Sequence, residues 1–199
     1  MFSNDVFQRL QSGDFRGVQL QNTSLVGLDL LGFDFSQADL SGADMQGLDL
    51  SRAVFVGANL SGANLSRTQL PMADFKEADL RDAKFIHANL TRTSFAAACM
   101  GAADLSYPQL DAAKFVHADL RHCKFRMAKL TRVSMQSVDL GGANLYGANL
   151  CGARFYNIHC HGTRLPNGQQ TSHGGDLDLF VNCSPGQRVA SQLLVSAAP

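Results

Sequence analysis

The chain has 199 residues, with 17 basic and 17 acidic side chains, so its formal net charge is zero. That balance gives no overall attraction to nucleic acid or to an anionic membrane. No stretch reaches the roughly 18 uninterrupted apolar residues of a membrane helix, and the first residues lack the basic and apolar regions of a secretory signal. The five cysteines are scattered and odd in number, which predicts a reducing, cytoplasmic location rather than a disulfide framework.

A short helix is predicted from Asn4 to Gln11. Asn4 can act as its N-cap, Leu10 lies on its apolar face, and Gly13 can terminate it. We therefore assign residues 1–13 to an N-terminal capping helix.

From residue 15 onward the apolar side chains recur every five residues, a step that fits neither a helix nor a strand. Every fifth residue from Phe15 to Phe155, 29 positions in all, is Leu, Phe or Met. Two residues earlier, 17 of the 24 positions from Ala38 to Ala153 are Ala. Positions two apart in an extended segment point to one face, and the remaining residues must turn a corner. The predicted architecture is an all-β solenoid of stacked coils.

The identity of the central residue also repeats, with a period of twenty. The seven centres from Leu30 to Leu150 in this register are all Leu, and seven of the nine Phe centres share a single register. Four five-residue units per turn predict a four-sided β-helix of about seven coils, with like side chains stacked in its core. The predicted aromatic column consists of Phe15, Phe35, Phe55, Phe75, Phe95, Phe115, Met135 and Phe155.

The recurring pattern A(D/N)LXX resembles the pentapeptide-repeat family over roughly residues 14–155. The resemblance implies a right-handed quadrilateral β-helix, which we place at residues 14–165. The short helix followed by "SGDF" and the first coil resembles many cyanobacterial members of the family. In several members a C-terminal segment forms a homodimer, so residues 166–199 are expected to be a cap and tail that either covers the last coil or dimerises.

The C-terminal segment has its own local patterns. "LPNG", residues 165–168, predicts a turn, and "QQTSHGG" predicts a polar loop. "DLDLFVN" alternates as a short covering strand would, and "QRVASQLLVSAAP" predicts either a final helix or a frayed tail.

No catalytic, cofactor or metal site is predicted, because a rod with a filled core and no long loops offers no pocket for convergent titratable groups. The sequence His159-Cys160-His161, with Cys151, His173 and Cys183 nearby, matches no standard zinc spacing. We expect Cys160 to be a small core centre flanked by outward histidines, and the chain not to be an enzyme.

The predicted outer surface is polar along the rod axis. Asp29, Asp34, Asp39, Asp44 and Asp49 form an acidic girdle, and residues 1–60 hold seven acids and three bases. Residues 112–164 hold two acids and eight bases. Outward apolar residues such as Ile86 and Tyr146 look scattered and need no explanation.

A forty-residue repeat, "ADLRDAKFIHANLTRTS" and "ADLRHCKFRMAKLTRVS", places basic residues two coils apart. These charges either keep the surface soluble or form a docking strip for a partner protein. The candidate strip consists of Arg81, Lys84, Arg121, Lys124 and Arg126.

Three functions are considered. The first is a non-enzymatic protein-interaction scaffold or regulator. The second, implied by the quinolone-resistance members of the family, is a DNA mimic acting on DNA gyrase or another type II topoisomerase. Those proteins are strongly acidic, whereas this chain is neutral overall and basic over its C-terminal half. The third and weakest is an enzyme or metal protein. The expected partner is another protein, with neither a membrane nor nucleic acid as the predicted target.

Overall fold

The computed structural model describes residues 9–171 and Leu177. Residues 9–12 are helical, and the Gly13 amide donates to the Arg9 carbonyl at 2.9 Å. Gly13 ends this helical segment with a φ of +69°, a conformation that glycine adopts without steric cost. The rest of the predicted capping helix, including Asn4, lies outside the described residues.

The backbone winds into coils that pair in parallel every twenty residues, as the sequence period predicts. The pairing extends from Asp14↔Asp34 to Asn144↔Arg164. Three coils pair over longer segments on one side, forming strands β1 (Lys114–Val116), β2 (Ser134–Gln136) and β3 (Arg154–Tyr156) in a parallel sheet of that order. Elsewhere in the described coils a paired side contributes a single bridged residue.

Each corner is a tight turn that starts at a central apolar residue. The Ala38 amide donates to the Phe35 carbonyl at 3.0 Å, and the third turn residue, Gln37, has a φ of +60°. A positive φ at that position defines a type II turn and favours glycine. Among the described residues, nineteen non-glycine residues nevertheless adopt a positive φ.

The Asp or Asn before each central residue faces outward and stabilises the corner. Its side-chain oxygen accepts the amide hydrogen of the residue after the centre, as in Ser36 N to Asp34 Oδ1 at 2.9 Å and Ser61 N to Asn59 Oδ1 at 3.1 Å. The same bond recurs as far as Asn149. Polar backbone groups at the corners thus gain partners, which explains the D/N of the repeat.

The core consists of the central residues and the small residues two positions before them. Of the 29 centres from Phe15 to Phe155, 28 are buried. A parallel stack of five rings, with neighbouring centroids 4.7–5.3 Å apart, consists of Phe35, Phe55, Phe75, Phe95 and Phe115. Phe155 is the exception and is only half-buried. It pairs with Met135 on one side, and none of the described residues pairs with it on the other.

At the C-terminal end the "LPNG" segment forms the predicted turn, with the Gly168 amide donating to the Leu165 carbonyl at 2.9 Å. After it, Gln169 and Gln170 are exposed, as expected of a polar loop, and Gln170 forms an isolated antiparallel bridge with Arg164. Thr171 is buried, and its amide donates to the Thr163 carbonyl at 2.9 Å, which supplies a partner for the last coil. The rest of the predicted loop lies outside the described residues. Leu177 is buried in the core cluster, and the remainder of "DLDLFVN" and the final segment lie outside the described residues.

Candidate functional site

The predicted basic strip is divided between two corners. Arg81 and Arg121 occupy the first position of one corner, two coils apart, and Lys84 and Lys124 lie on the next side. Arg126 is the first residue of the following corner, so the strip spans one side of the coil and the corners at its two ends.

Two of the strip's charges are already neutralised by the corner aspartates. Arg121 donates from Nε and Nη2 to the two carboxylate oxygens of Asp119 at 2.8 and 2.6 Å. Arg81 makes the same two contacts with Asp79, at 2.9 and 2.5 Å. These side-chain hydrogen bonds hold the pKa of each carboxyl below its usual value and raise the pKa of each guanidinium. Both arginines therefore help to hold their corners.

The lysines and the last arginine differ in how their charges are compensated. Lys124 Nζ lies 3.5 Å from the Asp104 carboxylate. Lys84 and Arg126 are exposed and form no ion pair within the described part of the chain. The uncompensated positive charge therefore lies toward the corner between Lys84 and Arg126 rather than along the Arg81–Arg121 edge.

That corner also carries an apolar surface that the sequence analysis missed. We define the corner ridge as Ile86, His87, Tyr107, Met127 and Tyr146. Tyr107, Met127 and Tyr146 are 48%, 50% and 41% exposed, and they lie on consecutive coils. Sorting the two corner residues by the period of twenty would have found the ridge. Ile86 and Tyr146 occupy the first position of this corner and look scattered when they are considered without Tyr107 and Met127, which occupy its second position.

The acidic girdle has a structural cause. Four of its members, Asp34, Asp39, Asp44 and Asp49, accept the backbone amide at their corners at 2.9–3.2 Å. For Asp39 that backbone hydrogen bond is the main reason why its pKa is lowered. These carboxylates therefore stabilise the N-terminal coils in addition to giving them negative charge.

Of the cysteine and histidine residues considered as metal ligands, His173 and Cys183 lie outside the described residues. Cys160 is buried in the core, while His159 and His161 are exposed on either side of it. Within residues 9–171 and Leu177, no group of three or more histidine, cysteine or acidic side chains is arranged to hold a metal ion. The same described residues include no helix with the length and hydropathy needed to cross a membrane.

Comparison with known proteins identifies the class to which this fold belongs. The family profile described as pentapeptide repeats matches eight times, over residues 14–70 and 73–167. The chain belongs to the pentapeptide-repeat family, and its described coils form the right-handed quadrilateral β-helix of that family.

Among solved structures, a trypsin-treated form of QnrB1, a plasmid-mediated fluoroquinolone resistance protein, is similar in fold. It is 18% identical, has a TM-score of 0.58, and the alignment covers 76% of this chain and 81% of that one. HetL from Nostoc sp. strain PCC 7120, a pentapeptide-repeat protein involved in heterocyst differentiation regulation, is 26% identical with a TM-score of 0.28, covering 86% and 100%. Rfr23 from Cyanothece 51142 is 22% identical with a TM-score of 0.34, covering 82% and 95%. No curated protein sequence gave a significant match.

Proposed function

We propose that this chain is a non-enzymatic scaffold or regulator that binds another protein through the predicted basic strip. This strip, called the basic edge from here on, consists of Arg81, Lys84, Arg121, Lys124 and Arg126. The observation that carries the proposal is the exposed, uncompensated charge of Lys84 and Arg126 on a rod whose interior is filled. Arg81 and Arg121 act mainly through the corners that they hold. A rigid surface loses little conformational entropy on binding, which favours recognition of a partner.

A pull-down from the native cell lysate tests the proposal. The variant carries Lys84→Glu, Lys124→Glu and Arg126→Glu, and its control carries Arg52→Glu, Arg92→Glu and Arg132→Glu. The control makes the same change in net charge with exposed arginines that share a different corner. We expect a specific protein retained by the wild type and the control but lost from the variant. Equal retention by all three would remove the basic edge from the proposal.

A second candidate is modulation of DNA gyrase as a DNA mimic. The fold shared with a fluoroquinolone resistance protein supports it. The eight bases and two acids of residues 112–164 oppose it, because a DNA mimic needs a negative surface. Gyrase supercoiling assayed with a quinolone and excess protein tests this candidate, and unchanged inhibition would eliminate it.

We also propose that the chain works in a reducing compartment such as the cytoplasm, since Cys99 and Cys123 form no disulfide. Homodimerisation through residues 166–199 stays a prediction, because most of that segment lies outside the described residues.

A further inference from the structure

The corner ridge is continuous because the backbone stacks its residues coil upon coil. The His87 amide donates to the Ser106 carbonyl at 3.1 Å. In the same way the Tyr107 amide donates to the Arg126 carbonyl at 2.8 Å, and the Met127 amide donates to the Tyr146 carbonyl at 2.9 Å. Consecutive coils are about 4.8 Å apart, so the ridge is on the order of 15 Å long. It presents two tyrosines and a methionine, residue types that are enriched at the centres of protein interfaces.

The ridge side chains are held by their neighbours. The His87 and Tyr107 rings stack with centroids 5.0 Å apart and an interplanar angle of 24°. Met127 lies over Gly147, where a Cβ atom would collide with its sulfur. Arg164 lies with Cζ 4.9 Å from the centre of the Tyr146 ring. These contacts reduce the side-chain entropy that binding would otherwise remove.

The other large exposed apolar side chains in the described part of the chain are isolated. Leu31, Met72 and Tyr156 lie on other corners. Val26 shares the ridge corner but is separated from Ile86 by the polar Gln46 and Ser66. Only at the ridge do three such side chains follow one another, and a grouping of this kind marks an interaction surface on soluble proteins.

Positive charge flanks the ridge. From one coil before the ridge to one coil after it, the two sides and the corner itself carry six exposed bases and one acid: Arg67, Lys84, Lys124, Arg126, Lys129, Arg164 and Asp104. Asp104 is half-buried and is engaged by Lys124. The remaining outward positions opposite the ridge coils, such as Asn89, Gln109 and Asn149, are uncharged amides. A ligand on this corner therefore meets an apolar centre surrounded by positive charge.

We propose that the corner ridge is a docking site for an acidic segment of a partner protein whose apolar side chains pack on Tyr107 and Met127. The bases beside the ridge pair with the carboxylates of that segment and raise the rate of encounter. This inference rests on the proposed scaffold function and specifies the partner's chemistry. Single-stranded nucleic acid fits less well, because the His87–Tyr107 stack already occupies one face of each ring and so reduces the area on which bases could stack.

The test uses fluorescence anisotropy with a fluorescein-labelled twelve-residue peptide that alternates Glu and Phe. Two matched peptides replace Glu by Gln or Phe by Ser. The ridge variant is Tyr107→Ser with Met127→Ser, and its control is Met72→Ser with Tyr156→Ser, at exposed positions on other corners. All four substituted side chains are exposed, so melting temperatures should be unchanged.

We expect the wild type and the control to bind the Glu–Phe peptide, and the ridge variant to bind at least tenfold more weakly. Both altered peptides should bind more weakly, and added salt should reduce the affinity. Equal loss in control and ridge variant, no binding at millimolar peptide, or preference for a labelled oligothymidine would overturn the proposal. So would sedimentation that reveals a dimer lost only in the ridge variant, because the occupant would then be a second copy of the chain.

The two proposals fail separately. Tyr107 and Met127 lie outside the basic edge, so a lysate partner that the ridge variant retains and the charge-reversed variant loses would sustain the scaffold function and overturn the ridge. A lysate in which no protein distinguishes the charge-reversed variant from its control would overturn the basic edge, while ridge-dependent peptide binding would still support the docking site.

Discussion

Replacing Phe75 by alanine tests the stacked core directly. Phe75 has no exposed surface, and its ring lies parallel to those of Phe55 and Phe95 at centroid distances of 4.7 and 5.3 Å. Phe85 meets it edge-on at 5.9 Å. Truncation therefore opens a gap in the middle of the aromatic column, where the neighbouring coils are held in place by their own backbone pairing.

The expected cost follows from two contributions. Loss of the buried side chain's transfer free energy amounts to about 2 kcal/mol. A residual cavity on the order of 100 Å³, at ~24 cal/mol per Å³, adds about 2 kcal/mol. The free energy of unfolding should therefore fall by about 4 kcal/mol, and a chain of this length should melt roughly 8–16 °C lower.

Urea unfolding followed by far-ultraviolet circular dichroism provides the measurement, because the chain contains no tryptophan. Phe155→Ala is the matched control, since Phe155 is half-buried and pairs with a described coil on one side only. We expect it to cost about half as much as Phe75→Ala. Lys76→Ala, at the adjacent exposed position, should change stability by less than about 0.5 kcal/mol.

Two results would refute the reasoning. If Phe75→Ala melted within about 2 °C of the wild type, Phe75 would not face a filled interior. If Phe155→Ala were as costly as Phe75→Ala, the terminal position would be packed as tightly as the middle of the column, and the solenoid account of its energetics would be wrong.

Four further predictions concern other positions. Leu90→Asp should prevent cooperative folding, because it places an unpaired charge at a fully buried centre, and a protein with wild-type melting would contradict this. Ala102→Gly should stabilise the chain by up to about 1 kcal/mol in urea, since the φ of Ala102 is +61°. The side-chain hydrogen bond from Arg121 lowers the pKa of Asp119 from 3.8, so ionised Asp119 stabilises the fold above about pH 4, and this stabilisation disappears on acidification through the folded-state pKa. In urea unfolding, the stability advantage of the wild type over Asp119→Asn should therefore shrink from about pH 5 to pH 2. Peptide mapping after brief thiol labelling should find exposed Cys99 modified but not Cys123, whose pKa burial raises, and Cys123 should react only after unfolding.

The sequence was sufficient to predict the coil because its period records which residues face inward. A shift of one residue would have exposed Leu40 and buried Asp39, so the step of five determines the phase without knowledge of the backbone. The structure confirms the period through pairs such as Asp39↔Asn59. The half-buried state of Phe155 could not be predicted from the period, because it depends on what stacks beyond the last coil.

The surface was harder to predict because charges were assigned by residue type alone. Arg81 and Arg121 look like free bases in the sequence, yet each reaches back two residues across the corner to an aspartate. In both contacts the arginine pairs with the aspartate that already accepts its own backbone amide, at 3.1 Å in each case, so the corner geometry brings the two side chains together. The candidate strip therefore carries less free charge than the sequence suggested.

Glycine is unevenly distributed over the positive-φ corner positions of the described coils. From residue 67 to residue 137 all fifteen positive-φ corner positions are non-glycine, whereas the flanking corners at Gly57, Gly62, Gly142 and Gly147 are glycine. Glycine adopts this conformation at lower cost, so each non-glycine residue sacrifices some stability for a side chain. Corner side chains contribute little to the core, and the block contains Tyr107 and Met127 of the corner ridge. The same cost is borne at Ala97, Ala102 and Ala112, so it is not confined to the ridge; at Tyr107 and Met127 it accompanies the side chains on which the proposed docking depends.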